Sequence, residues 1–286
     1  CVCAEESELD ALPVHVFGNG RISVAVPRSQ AFNSAFALPG PVLALRRGRD
    51  KNWTGRGKIG PFPSCGRIET VVLEKGPILI RWLTRYLMGG WVQAAYESTI
   101  FAGEDFIMLR EKSRLDAGIA FSFRLADEDA PQFWCTHGGG EFAKVSQGPV
   151  SKPPTRMGLE RPGEFIHIDC NCGHFQMSYA WAGLWREGGP LIGVTELRGG
   201  HWRMPGRNRI VVRKEEKGLS WNFPANGGSR EYALVCGEPE LFAAKEGLSR
   251  FCHIRRKYSD LPLEKVRHWK LDWEIPRRNS PILYPK

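Results

Sequence analysis

The sequence predicts an all-β fold, a large antiparallel β-sandwich of two packed sheets with a short helical C-terminal segment. Between Val14 and Cys236, short runs rich in Val, Ile, Phe, Tyr and Trp are separated by Gly, Pro and Asn-Gly turn signals. Several runs alternate polar and apolar residues, which is typical of half-buried strands. More than ten such runs occur with few helical intervals, a number that suits two large sheets packed face to face.

The first half of the chain contains three hairpin signals. Asn19-Gly20 separates two apolar runs in HVFGNGRISVAV, a typical two-residue hairpin turn. Lys75-Gly76-Pro77 separates the two strands predicted in RIETVVLEKGPILIRWLTRYL, and Gly103-Glu104-Asp105 separates the next two. These signals predict successive antiparallel strand pairs.

The second half continues with further strand-like runs: IAFSFRL, GEFIHIDC, FQMSYAWAGLW, PLIGVTEL, RIVVRKEE, LSWNFP and REYALVC. Between the first two lies QFWCTHGGGEF, residues 132–142, which we predict to be a loop. The Pro-rich residues 147–164 are predicted to be an irregular surface segment that crosses between the sheets.

The character of the sequence changes after Cys236. Pro239 and the apolar spacing of the residues that follow it predict a helix, and Asp260 is a plausible N-cap of a second one. We therefore assign residues 1–237 to the sandwich domain. Residues 238–286 are assigned to a helical linker and an extended tail, which could lead to a further domain outside this chain.

The charge of the chain bears on its partners. The formal net charge is +9, but Lys and Arg are scattered, and no RRM, KH or zinc-finger pattern occurs, so we expect no nucleic-acid partner. A basic surface could instead attract an acidic substrate, such as a uronic-acid or sulfated polysaccharide. No run of about 18 apolar residues is present, so we expect no membrane span.

The eight cysteines leave the compartment open. An even number fits an oxidising compartment, which favours an extracellular or periplasmic location, although the density is too low for a disulfide scaffold. Several cysteines lie in apolar strands, as in YALVCGE, where a buried free thiol fits equally well.

The strand region resembles a known type of domain. RIETVVLEKGPILIRWLTRYLMGGWVQAAYESTIFAGEDFIMLRE is similar to the core of the large β-sandwich of multidomain carbohydrate-active enzymes, and AGLWREGGPLIGVTELRGGHW resembles later strands of such a sheet. These enzymes are glycoside hydrolases and polysaccharide lyases in which linker helices lead into an α/α-toroid domain. The resemblance covers roughly residues 14–240. It implies a carbohydrate-active domain, although no toroid follows in this chain, which could be a fragment or one chain of a larger assembly.

Catalysis on a polysaccharide needs acidic and basic groups at one site. A glycoside hydrolase uses two carboxylates across a groove, and the candidates are Glu97, Asp105, Glu141, Glu187 and Glu196. A lyase needs a base such as His or Tyr. We select His137 and Glu141 as candidate catalytic residues, because they flank three glycines that let the backbone approach a ligand closely. The same glycines also suit an ordinary turn or bulge.

Tryptophan is abundant, with ten residues, and sugar rings stack on indoles through their apolar faces. Core packing would account for some of them. Trp134 and Trp202 each have glycine and histidine neighbours, and we predict that both are exposed and bind substrate. His201 and Arg203 lie beside Trp202 and complete the predicted substrate-binding set.

A metal site is the weaker interpretation of HIDCNCGH, whose potential ligands are His167, Asp169, Cys170, Cys172 and His174. Their spacing is not that of a usual structural zinc site. On a strand they would point to opposite faces, so a disulfide or plain strand residues remain alternatives. No dinucleotide or phosphate-binding motif occurs, and we expect neither a metal nor a cofactor.

The preferred function is a secreted β-sandwich domain of a glycoside hydrolase or polysaccharide lyase, with a polysaccharide or oligosaccharide as its partner. The alternative is a non-catalytic carbohydrate-binding or protein-interaction module. A basic structural protein of a larger assembly fits the charge but explains the tryptophans less well. Whether the chain is itself an enzyme stays open at this point.

Overall fold

A computed structural model describes the chain in the following ranges: 3–32, 37–48, 50–62, 66–114, 120–126, 132–137, 144–149, 161–167, 181–198, 210–224, 229–239 and 254. For residues 132–137, 144–149, 165–167, 181–182, 196 and 198 it describes the backbone path alone.

The described residues form twenty strands: β1 Cys3–Leu9, β2 Leu12–Gly18, β3 Ile22–Pro27, β4 Gln30–Phe32, β5 Leu38–Pro39, β6 Ala44–Arg47, β7 Arg56–Gly60, β8 Gly66–Lys75, β9 Leu79–Met88, β10 Trp91–Phe101, β11 Phe106–Ser113, β12 Ala120–Leu125, β13 Gln132–His137, β14 Lys144–Pro149, β15 Phe165–His167, β16 Trp181–Trp185, β17 Leu191–Arg198, β18 Val211–Lys214, β19 Leu219–Pro224 and β20 Ser229–Gly237.

The strands pair into three antiparallel sheets. The largest has ten strands in the order β14-β13-β16-β17-β20-β11-β10-β9-β8-β4. The others are a four-stranded sheet, β1-β2-β3-β6, and a six-stranded sheet, β15-β18-β19-β12-β7-β5. The two smaller sheets are joined where the Gly57 amide donates to the Leu43 carbonyl at 2.8 Å and the Leu45 amide donates to the Thr54 carbonyl at 3.0 Å. Together they form a second layer opposite the ten-stranded sheet.

Aromatic rings from both layers fill the space between them. Phe17 of the four-stranded sheet contacts Trp82 of the ten-stranded sheet with 4.6 Å between ring centroids. Phe223 of the six-stranded sheet stacks on Tyr232 of the ten-stranded sheet at 4.6 Å and on Phe121 of its own sheet at 5.0 Å. All of these rings are fully buried, so a single apolar core holds both layers together.

The structure confirms the predicted all-β sandwich. The three predicted hairpin signals join β2 to β3, β8 to β9, and β10 to β11. It refines the expectation of two sheets, because one of the two layers consists of two sheets. The Pro-rich segment does connect the layers, since β14 belongs to the ten-stranded sheet and β15 to the six-stranded sheet. The prediction that it is irregular from residue 147 is wrong for residues 147–149, which end β14.

The prediction of a loop over residues 132–142 is wrong for its first half. Gln132–His137 form β13, which pairs with β14 on one side and with β16 on the other. β16 lies some fifty positions away in the sequence. The hydrogen bonds that hold β13 against β16 therefore leave no signal in the residues of β13 themselves. Residues 138–142 lie outside the described residues.

The predicted helices of residues 238–286 also lie outside the described residues, except for Glu238, Pro239 and Ile254. Ile254 is fully buried in an apolar cluster on the outer face of the ten-stranded sheet, the face turned away from the second layer. In the ranges that the structure describes, no helix is long and apolar enough to cross a membrane.

Candidate functional site

Several strands that carry predicted site residues point towards the same end of the sandwich. In the ten-stranded sheet, β13 ends there at His137, β17 ends there at Arg198, and β10 begins there at Trp91. In the six-stranded sheet, β15 ends there at His167. We call this the distal end. The opposite, proximal end carries the β10–β11 and β16–β17 turns.

Strand order gives the dimensions of the distal end. One strand, β16, separates β13 from β17, so His137 and Arg198 lie about 10 Å apart across the sheet at the usual strand spacing. Five strand steps, about 24 Å, separate β13 from β10 across the sheet. The register places His137 level with Ser98 of β10, so Trp91 lies six or seven residues, roughly 20 Å, further along the strand direction. A ligand that contacts both strand ends must therefore be a long extended chain.

The structure locates some of the predicted site residues and leaves others outside its described ranges. Trp134 and His137 lie on β13, for which the backbone path alone is described. Glu141 lies outside the described residues, and so do the three predicted substrate-binding residues that follow β17: His201, Trp202 and Arg203. All six stay predictions.

The other candidate carboxylates are not grouped together. Asp105 and Glu187 lie in the two turns of the proximal end, away from His137. Glu97 lies within β10 and is buried. The side chain of Glu196 on β17 is outside the description. The structure thus removes Asp105 and Glu187 from a site at the distal end.

Trp91 is the exposed aromatic residue that the sequence-based selection missed. Its side chain is 69% exposed, and it begins β10 directly after Gly89 and Gly90, which adopt φ values of +55° and +83°. Such backbone is readily accessible to glycine alone, so the two glycines make the tight turn that presents the indole. Adjacent glycine was the signal used to select Trp134, and the same signal could have identified Trp91.

Other tryptophans serve the core. Trp82 and Trp221 are fully buried between the layers, as expected of large apolar side chains in a sandwich. Trp53 lies under the guanidinium of Arg46, 4.7 Å from the ring centroid, a cation–π contact. Trp185 packs against the apolar cluster of the outer face. Among the tryptophans whose side chains the structure describes, Trp91 is therefore the one that packing does not explain.

A row of alternating charges crosses the outer face of the ten-stranded sheet. Glu97, Arg110 and Glu231 occupy opposing positions on β10, β11 and β20, and Arg110 Nε donates to Glu231 Oε1 at 2.7 Å. Arg81 of β9 lies 3.6 Å from Glu97 Oε1 through Nη1 and 3.1 Å from Glu74 Oε2 through Nη2. Arg81, Glu97, Arg110 and Glu231 are all buried, so the row is a structural network.

Glu97 is the carboxylate in that row with the most unusual environment. Neither of its oxygens accepts a hydrogen bond from the described residues, although Arg81 and Arg110 lie beside it. Burial raises the pKa of the Glu97 carboxyl, and the charges of Arg110 and Arg81 oppose that rise without overcoming it. The charged form is therefore less favourable at this position than in water.

The Glu97→Gln variant gives a pH test of this environment. Because the folded-state pKa lies above the ordinary 4.5, the native state holds the proton more tightly than the unfolded state. The stability of the wild type relative to Glu97→Gln is thus greatest below pH ~4.5 and declines as the pH rises through the folded-state pKa. Urea unfolding between pH 4 and 7 measures the difference, and a difference that grows with pH would contradict the raised pKa.

A second ion pair lies on the inner face, close to the distal end. Arg230 Nη2 donates to Glu111 Oε2 at 2.6 Å, and both side chains are buried. The guanidinium carbon of Arg230 also lies 5.5 Å from the ring centroid of Tyr232 and 5.9 Å from that of Phe223. Aromatic faces and one carboxylate together compensate the buried charge. This pair fixes β11 to β20 inside the core and is not accessible to a ligand.

The described residues place limits on metal and thiol chemistry. Among them, no group of three His, Cys, Asp or Glu side chains could hold a metal ion. Most of HIDCNCGH lies outside the described ranges, so that segment is not tested. Cys236 is a buried free thiol, as the apolar context of YALVCGE allowed, and Cys3 is an exposed one. Burial raises the pKa of the Cys236 thiol well above its usual range, so this thiol is unreactive.

Comparison with known proteins gives structural likenesses that are distant. Neither a protein-family model nor a curated protein sequence matches the chain. Among solved structures, an α-galactosidase from Lactobacillus brevis aligns over 82% of this chain and 39% of its own length, with 8% identity and a TM-score of 0.36. The chain thus spans about two fifths of the length of that enzyme. The structure defines the fold class of the chain as a large antiparallel β-sandwich.

Proposed function

We propose that the chain is the β-sandwich domain of a carbohydrate-active enzyme, a glycoside hydrolase or polysaccharide lyase, and that it binds polysaccharide along the distal end. The observation that carries this proposal is the exposed indole of Trp91, held on a two-glycine turn at the distal end. Exposing an indole costs hydrophobic free energy, so an exposed one on a tight turn points to a ligand.

The chemistry of the indole favours a sugar. A sugar ring offers a flat face of C–H groups, and indole is the largest flat apolar surface among the side chains. The separation of Trp91 from the His137 end of β13, about 24 Å across the sheet and roughly 20 Å along the strands, suits a long chain of sugar units better than a monosaccharide. Polysaccharide is therefore the ligand class that fits both the platform and the dimensions of the distal end.

The predicted catalytic residues belong to the proposal at the β13 side of the sheet. His137 ends β13 at the distal end, and Glu141 follows four residues later in the sequence, so covalent connectivity keeps it within about 14 Å of that strand end. We assign His137 and Glu141 as the acid and base pair. Trp134, Trp202, His201 and Arg203 are assigned to substrate binding, and a further domain or chain to the rest of the groove.

The proposal includes the cellular location of the protein. An extracellular or periplasmic location is part of the proposal, and the even number of cysteines, which fits an oxidising compartment, supports it.

The Trp91→Ala variant tests the function. We expect its affinity for the polysaccharide that the wild type binds to fall about tenfold, the effect of roughly 1.4 kcal/mol of lost stacking. The matched control is Ile78→Ala, because Ile78 is also 69% exposed but lies at the proximal end of the same sheet. Affinity electrophoresis across acidic and neutral polysaccharides measures both variants.

The outcomes separate the proposal from its alternative. A loss of polysaccharide affinity in Trp91→Ala, together with an unchanged affinity in Ile78→Ala, supports sugar binding at the distal end. Equal affinity of Trp91→Ala and wild type would refute it. Release of reducing sugar or of unsaturated uronate, lost in His137→Ala, supports an enzyme. This assay uses the chain together with the further domain or chain that the proposal assigns to the rest of the groove. Binding without turnover in that assembly would instead favour a non-catalytic binding module.

A further inference from the structure

The outer face of the ten-stranded sheet carries an apolar cluster that is covered. Its side chains extend over five neighbouring strands, from Phe101 on β10 to Trp185 on β16, which is about 19 Å across four strand spacings. Six of them are no more than 5% exposed: Phe106, Met108, Leu191, Leu197, Ala233 and Val235. Side chains on one face of a sheet stand away from it, so their tips are buried only where another element packs on that face.

Ile254 supplies part of this cover. It is helical and fully buried, and it packs into the cluster. Among the described residues of the cluster, it is the one that does not belong to a strand. A single isoleucine cannot cover a face five strands wide, so its neighbours in the sequence are the first candidates for the rest of the cover.

The middle of the outer face allows a close approach. Gly193 of β17 lies in one cross-strand row between Val235 of β20 and Gly183 of β16, and both glycines are buried. Leu191 leans over Gly183, because its Cδ1 lies 3.1 Å from where a β-carbon would stand at that position. Gly193 brings no side chain to the row, and glycine within a strand is typical of a place where another segment approaches the backbone.

The sequence around Ile254 has the pattern of an amphipathic helix. Leu248, Phe251, Ile254 and Tyr258 follow one another at intervals of three and four residues, which places them on one side of an α-helix. At about 100° per residue, Ser249 lies on the opposite side. A helix from Leu248 to Tyr258 is about 16 Å long, close to the width of the apolar cluster.

The chain is long enough to return to this face. β20 ends at Gly237 at the proximal end, where Arg47 of the second layer donates to the carboxylate of Glu238. Residues 239–253 then lead to Ile254, a stretch that spans at most about 50 Å. That reach exceeds the length of β10, the longest strand, so connectivity permits any position of the helix along the outer face.

We propose that residues 248–258 form an amphipathic helix that lies across the outer face of the ten-stranded sheet, with Leu248, Phe251, Ile254 and Tyr258 against the sheet. The segment after β20 is then a third layer of the fold, and not a free linker. It closes the outer face to ligands and partners, and it fixes the direction in which the following residues leave the sandwich. Docking of this helix does not depend on the proposed binding of polysaccharide.

Two single substitutions in the full chain test the orientation of the helix. Phe251→Asp places a charge between the helix and the sheet, and Ser249→Asp places the same charge on the opposite side of the same helix. Because Phe251→Asp detaches the helix, we expect it to raise the fluorescence of bound anilinonaphthalene sulfonate about fivefold. Amide exchange in residues 249–258 should become at least about tenfold faster. Ser249→Asp is expected to leave both measurements unchanged.

Amide exchange of the wild type tests the docking even if Phe251→Asp does not fold. Residues 249–258 should exchange about a hundredfold more slowly in the full chain than in a free synthetic peptide of the same sequence. Exchange at the rate of the peptide, or equal effects of the two substitutions, would overturn the proposal. Protection of residues 199–209 in place of 249–258 would overturn it in favour of that segment as the cover. Dye binding that appears when a dimer is diluted to the monomer would overturn it in favour of a second copy of the chain.

Discussion

Replacing Arg230 by Met is expected to lower the free energy of unfolding by about 3–5 kcal/mol. Arg230 Nη2 lies 2.6 Å from Glu111 Oε2, and the two side chains are 1% and 0% exposed. Removing the guanidinium leaves a carboxylate in the core without its counter-charge, which costs more than the net contribution of the intact pair. Urea or guanidinium unfolding at pH 7 measures the loss.

Two further measurements test whether the unpaired Glu111 carboxylate causes the loss of stability in Arg230→Met. Because burial already raises the pKa of Glu111, the carboxyl of the variant takes up a proton readily, and the loss should be smaller at pH 4.5 than at pH 7. The double variant Glu111→Leu/Arg230→Met removes both charges and should recover most of the lost stability. A double variant as unstable as Arg230→Met would show that the packing of Arg230, and not the unpaired charge, is decisive.

Replacing Phe223 by Ala is expected to cost about 3–5 kcal/mol of unfolding free energy. The Phe223 ring joins the layers, because it stacks on Phe121 of its own sheet and on Tyr232 of the ten-stranded sheet. Its removal leaves a cavity between two buried rings and takes away one aromatic face from Arg230. Chemical unfolding monitored by near-ultraviolet circular dichroism reports the change.

Phe223→Leu is the control for this prediction. Leucine keeps most of the volume and loses the ring, so its loss should be clearly smaller if the cavity dominates. Equal losses for the two variants would show that stacking, and not volume, holds the layers together at this point. A Phe223→Ala variant as stable as the wild type would contradict the assignment of this stack to the core.

The sequence is sufficient for the fold class and for the local turns. Asn19-Gly20, Lys75-Gly76-Pro77 and Gly103-Glu104-Asp105 each join adjacent strands as predicted, because turn chemistry is encoded within a few residues. The strand β13 was missed because its pairing with β16 depends on residues far away in the chain. Long-range pairing of this kind has no local signature.

The buried charged residues show the same limit of prediction from sequence. Arg110, Glu111, Arg230 and Glu231 resemble the polar ends of half-exposed strands. They are buried because the register of β11 and β20 pairs each arginine with a glutamate, one pair on each face of the sheet. Register is a property of two strands together, so neither strand alone predicts it.

The candidate site could be predicted in part. Residue types and neighbouring glycines identified Trp134, His137 and Glu141, and the same rule extended to Gly89-Gly90 would have included Trp91. The sequence could not show which strand ends share one end of the sandwich. That information comes from the order and direction of the ten strands, which point β13, β17 and the start of β10 towards the same end.

Hydrogen–deuterium exchange with and without bound polysaccharide tests the central claim most directly, because it locates the ligand without any substitution. Binding along the distal end predicts slower exchange at residues 88–93 and 112–114, and at the His137 end of β13. The proximal turns at residues 75–79 and 101–106 serve as internal controls and should be unchanged. Protection confined to those proximal turns, or spread equally over both ends, would contradict the account.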